Sequence, residues 1–354
     1  MRPNLLKSIQ TSKWIRELAI FAPIYFFLSL IALRDKLSLT PSWFDGTLVS
    51  NHTLLLHFGY TNNEQSRLLQ FLIPELFRNL FSLSIPDAYI LQRWLFVLLT
   101  FVCFHFYLRK WFGTPASFAG VLFLVAIMPL ANIDDLQESS PLLLLTFLIG
   151  LWAIRDDNVP VLLLVSFIGG LDNETMLMIP VVYFFYHFKS ARPRELGMLV
   201  RNTILISLPL VLTVGPIRFY TRDRSVLEDA WHLPDNLQGI FDKHALNFLH
   251  LYSDKYWFMF FIFGAFWVYA IVSYRRQPLF LQRAFLMVPL FIAAHLITGI
   301  ISEVRQMLPL SGVLIPMGLF AVFPGEGRDI TTAESKATED NTKSQLAPPI
   351  ESIG

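Results

Sequence analysis

Apolar runs of about 17 to 25 residues recur from one end of this chain almost to the other, each about as long as a helix must be to cross a bilayer. Lipid offers backbone N–H and C=O groups no partner, so such runs must satisfy their own backbone as helices. Composition agrees. Of 354 residues, 54% are hydrophobic and 16% charged, with a mean hydropathy of +0.50, outside the range of ordinary soluble domains. A net charge of +1 supplies no field to gather nucleic acid, which is excluded as a partner. The expected fold is all-α, a polytopic transmembrane helix bundle of about ten spans. They are placed at 17–33, 88–108, 115–131, 141–154, 159–172, 174–188, 203–220, 255–274, 284–302 and 306–323.

Arg2, Lys7, Lys13 and Arg16 precede the first run as they would in a signal peptide, but "IALRDKLSL" offers no small-residue cleavage site. The run is therefore read as an uncleaved span. With residues 1–16 cytoplasmic, the inner segments hold Arg109 and Lys110, Arg155, Lys189, Arg192, Arg194 and Arg201, then Arg275, Arg276 and Arg283, as the positive-inside rule requires. Both termini are then cytoplasmic, in a multi-pass protein of a bacterial inner or plasma membrane. The stretch 159–188 reads as two short spans or one broken one. A single crossing would put Arg275 and Arg276 outside, which favours two. Outer loops 34–87 and 221–254 are long, and the first contains "RLLQFLIPELFRNLFSL". There Leu68, Leu69, Leu72, Ile73, Leu76, Phe77, Leu80 and Phe81 share one stripe, opposite Arg67, Gln70, Glu75, Arg78 and Asn79. This predicts a helix lying in the membrane surface; a soluble helix packed on the bundle is the other reading. The transmembrane domain spans 17–323, and the polar stretch 324–354 is expected to be a disordered cytoplasmic tail. Cys103, the single cysteine, can form no internal disulfide.

Ionisable side chains avoid the span midpoints, where they are costly, and gather on the outer side. Acids there are Asp45, Asp134, Asp135, Glu138, Asp172, Glu174 and Glu303; bases are Arg67, Arg93, Arg218, Arg222, Arg224 and Arg305. Guanidiniums beside carboxylates fit an anionic substrate held by arginine, with a carboxylate free to take a proton. Ordinary readings stand beside this one. Asp134, Asp135 and Glu138 keep a hairpin in water; Arg222 and Arg224 are solvated or anchor lipid phosphates; Asp172 or Glu174 caps the next helix. Asp45, in "SWFDGT", sits where Asp and Gly commonly make a turn. Glu303 and Arg305 either mark the membrane boundary or form the outer hairpin before the last span, with Pro309 supporting a break. His52 and His57, five apart, do not make a one-face metal pair. No Cys or His spacing demands a metal, although a divalent ion between Asp45 and Asp134 or Asp135 is compatible with the residue types.

Four stretches carry a resemblance. "WFDG" at 43–46, "SRLLQFLIPEL" at 66–76, "LDNETMLMIP" at 171–180 and "SEVRQMLPLSGVLIP" at 302–316 are similar to elements of the GT-C superfamily of integral-membrane glycosyltransferases. Asp45 lacks the adjacent second acid of many members. The resemblance implies transfer of a sugar from a polyprenyl-phosphate donor to a glycan, lipid or protein hydroxyl at the outer face, for cell-envelope glycan assembly. It implies Asp45 as general base, with Arg305, Arg218 and Arg222 on the donor phosphate and Glu303 orienting Arg305. Arg67, Asp134, Asp135 and Glu174 complete the expected substrate-binding set. A polysaccharide polymerase or ligase, a secondary transporter and a non-catalytic scaffold remain the alternatives.

Overall fold

The computed structural model describes residues 3–60, 63–131, 139–221, 231–241 and 255–323, and no strand occurs among them. The helices are α1 (Pro3–Leu39), α2 (Thr47–Leu56), α3 (Leu68–Phe81), α4 (Ile85–Leu108), α5 (Thr114–Ala131), α6 (Ser139–Arg155), α7 (Val159–Asp172) and α8 (Met178–His187). They continue with α9 (Pro193–Thr221), α10 (Leu233–Phe241), α11 (Lys255–Phe263), α12 (Phe266–Val272), α13 (Leu279–Phe285), α14 (Met287–Thr298) and α15 (Ser311–Val322). Five segments are long and apolar enough to cross a membrane: Lys13–Leu39, Ile85–Leu108, Pro193–Thr221, Leu279–Thr298 and Val304–Val322. The chain is a membrane protein, and its architecture is a helical bundle.

Local chemistry sets several boundaries. Ser84 caps α4 by accepting the Asp87 N–H at 3.3 Å while Asp87 takes the Ser84 hydroxyl at 2.6 Å, and Pro86 sits in the first turn, where its missing N–H is harmless. At the start of α7, the Asn158 side-chain oxygen Oδ1 accepts from the Val161 N–H at 3.3 Å. The stretch 159–188 resolves into two helices joined by a 3₁₀ turn, Glu174–Leu177. His187, at the end of α8, returns to within 3.3 Å of Asp157, just before α7, so α8 runs back alongside α7.

Other expectations need correction. Helix α1 runs from Pro3 to Leu39, past both ends of the expected span 17–33. The single run 255–274 is broken between α11 and α12 at Gly264, whose φ of +49° a side chain would resist. Pro309 does not mark the break before the last helix. It lies inside a 3₁₀ turn, Val304–Leu310, that leads straight into α15, and α14 ends at Gly299. The tail 324–354, Asp134, Asp135, Glu138, Arg222 and Arg224 lie outside the described residues.

Burial sorts the helices. Of the 18-residue apolar window in each segment, 83% of residues are buried in Val304–Val322 but 17% in Lys13–Leu39 and in Pro193–Thr221. The last helix is thus central, and α1 and α9 present apolar faces outward, including Phe27, Ile31, Ile204 and Leu212. Such faces suit a chain whose surroundings are lipid. At the centre, α15 approaches α6 through Gly312, where a Cβ would lie 2.5 Å from Leu151 Cδ1. Gly312 also lies four residues before Pro316, which has no N–H to give to its carbonyl. The buried Tyr107 hydroxyl, from α4, donates to that carbonyl at 2.9 Å, and a group that lipid could never satisfy is satisfied from a neighbouring helix.

The bundle has two polar ends. At one, Lys110 meets Asp156 at 2.7 Å, Glu17 lies 2.7 Å from Arg109 and 3.0 Å from His105, and Arg283 donates to the carbonyls of Phe185 and Phe188. At the other, Arg218 meets Glu174, and Asn236 is bonded to the backbone at Leu296, Gly299 and Ile301.

Helix α3 packs on α4 and touches α7. Its buried residues are Gln70, Phe71 and Pro74, while Leu72, Leu76, Leu80 and Phe81 stand exposed. The expected polar face is therefore corrected: Gln70 is buried with Phe71 and Pro74, while the apolar edge is left outside.

Candidate functional site

Three distant segments meet at Glu174. The 3₁₀ turn after α7 presents this carboxylate, the end of α9 brings Arg218 Nη2 to 2.7 Å, and the residue before α3 brings Arg67 Nη2 to 3.8 Å of the same oxygen. Local geometry explains why Glu174 is available. Asn173, not Asp172 or Glu174, is the cap: its side-chain oxygen accepts the Thr175 N–H at 2.9 Å, which overturns the expected capping role of either acid. An amide oxygen performs that task while extended backbone at Asn173, φ −158° and ψ 135°, lets the carboxylates diverge.

Asp172 diverges inward. It is fully buried, and neither of its carboxylate oxygens has a hydrogen-bond partner. Its neighbours in the electrostatic sense are Arg67 and Glu174. His295, on α14, lies within electrostatic reach of Glu174 and Arg67 and is tied to the Phe291 carbonyl at 2.8 Å. Two guanidiniums, two carboxylates and an imidazole thus form one cluster of charge. An oxyanion entering it would compete with Glu174 for the guanidinium forks.

The Glu303–Arg305 pair is a separate arrangement. Arg305 Nη2 donates to Glu303 Oε2 at 2.8 Å, and Gln306 donates to the same oxygen at 2.8 Å. Arg305 is buried, with 8% of its surface exposed, so Glu303 fixes its direction. The turn carrying the pair packs on α6, as does the turn carrying Glu174.

Asp45 stands apart from both groups. It is exposed in the turn between α1 and α2, where it accepts the Thr47 N–H at 2.9 Å. The next residue, Gly46, has φ +93°, a value that favours glycine. Hydrogen bonds from the Thr47 side chain and backbone hold the Asp45 carboxyl below the usual carboxylate range. It is ionised at neutral pH, at some cost in basicity.

Between Asp45 and α3 lies a network that sequence spacing did not reveal. His52 is buried, 3.0 Å from the Tyr89 hydroxyl and 3.1 Å from Glu75 Oε2. Glu75 also accepts from Arg78 at 2.6 Å and Asn79 at 3.0 Å. The hydrogen bond from Arg78, with help from His52 and Asn79, pulls the Glu75 carboxyl down to about 2. His57 takes no part in this network.

Among the described residues no three His, Cys, Asp or Glu side chains come together in a way that could hold a metal, and Asp134 and Asp135 lie outside those residues. Arg67, Glu174 and Arg218 were each visible as charges beside spans, but their convergence left no local signal. The nearest hint was arginines in segments that the sequence pattern assigns to the outer side, where positive residues are expected to be unusual. No family model, curated protein or solved structure matches the chain.

Proposed function

We propose that this protein is a membrane glycosyltransferase of GT-C type, which moves a sugar from a polyprenyl-phosphate donor to an acceptor hydroxyl. On this reading the chain crosses the membrane about ten times, with its N-terminus inside, and the Glu174 end faces outward. The observation that carries the reading is the meeting of Arg67 and Arg218 on Glu174. Near it, α3 turns Leu72, Leu76, Leu80 and Phe81 outward, a surface suited to the monolayer from which a lipid-linked donor would arrive.

The chemistry follows from the charges. The donor diester brings an anion that Arg67 and Arg218 can bind bidentately, with Arg305 from the separate Glu303 pair assigned to it by the resemblance, and their charge stabilises the polyprenyl phosphate as it departs. Glu174 and Glu303 hold those guanidiniums in place before the donor arrives, which lowers the reorganisation needed in the transition state. Asp45, exposed and ionised, takes the proton of the acceptor hydroxyl, a role that contributes about 10² to 10⁴ in rate. In the native host, Asp45→Asn, Arg218→Ala and Arg305→Ala, each at normal membrane level, should alter envelope glycans read by mass spectrometry. Unchanged glycans in all three would refute the transferase.

One observation favours a second reading. The break at 173–177 beside a buried, unbonded Asp172 resembles the interrupted helices and intramembrane acids of secondary transporters. A transporter predicts that Asp172→Asn abolishes proton-coupled uptake into vesicles while Asp45→Asn leaves it intact.

A further inference from the structure

Buried polar side chains are almost always hydrogen-bonded, and one that is not needs a physical reason. Two such side chains flank Arg67. Gln65 is 1% exposed, and neither its Oε1 nor its Nε2 has a hydrogen-bond partner. Gln70 is 2% exposed, and its Oε1 is likewise unbonded. Backbone hydrogen bonds keep both near the arginine. Gln65 belongs to the 3₁₀ turn Asn63–Ser66, in which the Glu64 carbonyl accepts the Arg67 N–H at 3.0 Å, and the Gln70 N–H donates to the Arg67 carbonyl at 3.2 Å. That turn packs on α9, which brings Arg218, and α3 packs on α7, which ends at Asp172. Asp172 is the third buried group of this kind, with both oxygens unbonded and with Arg67 and Glu174 as its electrostatic neighbours.

These groups share a chemical requirement. A carboxamide offers both donors and an acceptor, and a carboxylate accepts from two O–H groups at once. A hydroxyl donates and accepts, so a ring bearing several hydroxyls suits all three side chains, whether Asp172 is ionised or protonated. A bare anion suits the guanidiniums but is repelled by an ionised Asp172, and a cation is repelled by Arg67. A sugar joined to a phosphate meets both halves of the cluster, because its hydroxyls match the carboxamides and Asp172 while its anion matches the guanidinium forks.

We propose that Gln65, Gln70 and Asp172 bind the hydroxyl groups of a sugar whose phosphate lies on Arg67 and Arg218, so that the cluster recognises a glycosyl phosphate and not phosphate alone. The phosphate half rests on the transferase reading, whereas the sugar half rests on the three unbonded side chains.

The full-length protein in detergent is melted against rising concentrations of inorganic phosphate, cyclohexyl phosphate and the 1-phosphates of glucose, galactose, mannose and N-acetylglucosamine. Cyclohexyl phosphate carries the ring and the charge without the hydroxyls. At least one hexose 1-phosphate should bind wild type about ten-fold more tightly than cyclohexyl phosphate, which is what one or two well-made hydrogen bonds are worth. Asp172→Leu and Gln65→Met should each erase that preference while inorganic phosphate still binds; Gln70→Met serves if either fails to fold. Arg218→Ala should weaken inorganic phosphate and the hexose 1-phosphates alike. If wild type holds cyclohexyl phosphate as tightly as every hexose 1-phosphate, as ordered water on the three side chains would predict, or if the preference survives these substitutions, the sugar site is overturned and the arginine site stands. If inorganic phosphate does not stabilise wild type, the arginine site is overturned, and the sugar site falls with it.

Discussion

The Gly312 carbonyl allows a sharp test of how this bundle is held together. Pro316 removes the N–H that would normally reach it, and the Tyr107 hydroxyl supplies the replacement at 2.9 Å from a helix 205 residues away in sequence. Tyr107→Phe keeps the ring, which stacks near Trp111 and Phe104, and deletes the donor. Interhelical hydrogen bonds inside membranes average only about 0.6 kcal/mol, because the separated helices find other partners. Here the acceptor has no internal alternative, so the penalty should approach that of an orphaned buried carbonyl, about 1–3 kcal/mol. Pro316→Ala restores the backbone donor. On that background Tyr107→Phe should cost about 0.5 kcal/mol or less, a coupling within the range typical of residues in contact. Thermal unfolding in detergent, followed by reaction of the single Cys103 with a thiol-reactive dye, reads both costs. If Tyr107→Phe melts with wild type, or if its penalty is the same with Ala at 316, the reasoning fails.

Three further expectations concern other seams. At Gly170 a Cβ would lie 2.2 Å from Thr213 Oγ1 on α9, so Gly170→Ala should cost about 1–3 kcal/mol by overpacking. The same melting assay should show Thr213→Ala rescuing most of it, because the next contacts are 3.2 Å and beyond. The His52–Glu75 network makes the 34–87 loop acid-sensitive. Burial holds the His52 imidazole below its ordinary 6.5, and Glu75 is held near 2 against an ordinary 4.5, so the unfolded chain binds more protons at both sites. Stability contributed here is present above about pH 6.5 and falls in two steps, below 6.5 and again below 4.5; protease nicking of the 34–87 loop against pH should follow it, and His52→Gln should remove the upper step. Finally, Glu174→Ala leaves Arg67 and Arg218 without their shared anion, and added inorganic phosphate should raise its melting temperature more than that of wild type. An equal shift in both would dissociate those arginines from anion binding.

Much of the fold was legible because membrane helices are decided locally. An apolar run of spanning length has no other way to satisfy its backbone in lipid, and among the described residues five helical segments are long and apolar enough to cross a membrane. Errors arose where a neighbour outweighed the local pattern. Asp172 and Glu174 were both sound candidates for a cap, but Asn173 lies between them and holds the amide, and Gln70 looked like a water-facing residue until α4 was packed against it.

The sequence by itself determined that this is a membrane protein made of helices, the approximate bounds of α3 to α7, and which charges stand beside them. Tertiary structure alone decided which charges meet. Arg67, Glu174 and Arg218 are far apart along the chain, and only the packing of α3 on α7 and of α7 on α9 brings them to one carboxylate. The same holds for Tyr107 and Gly312. Hydrogen bonds along a helix are written in neighbouring residues, whereas a contact between helices depends on the rotation and depth of each, which no short stretch of sequence encodes.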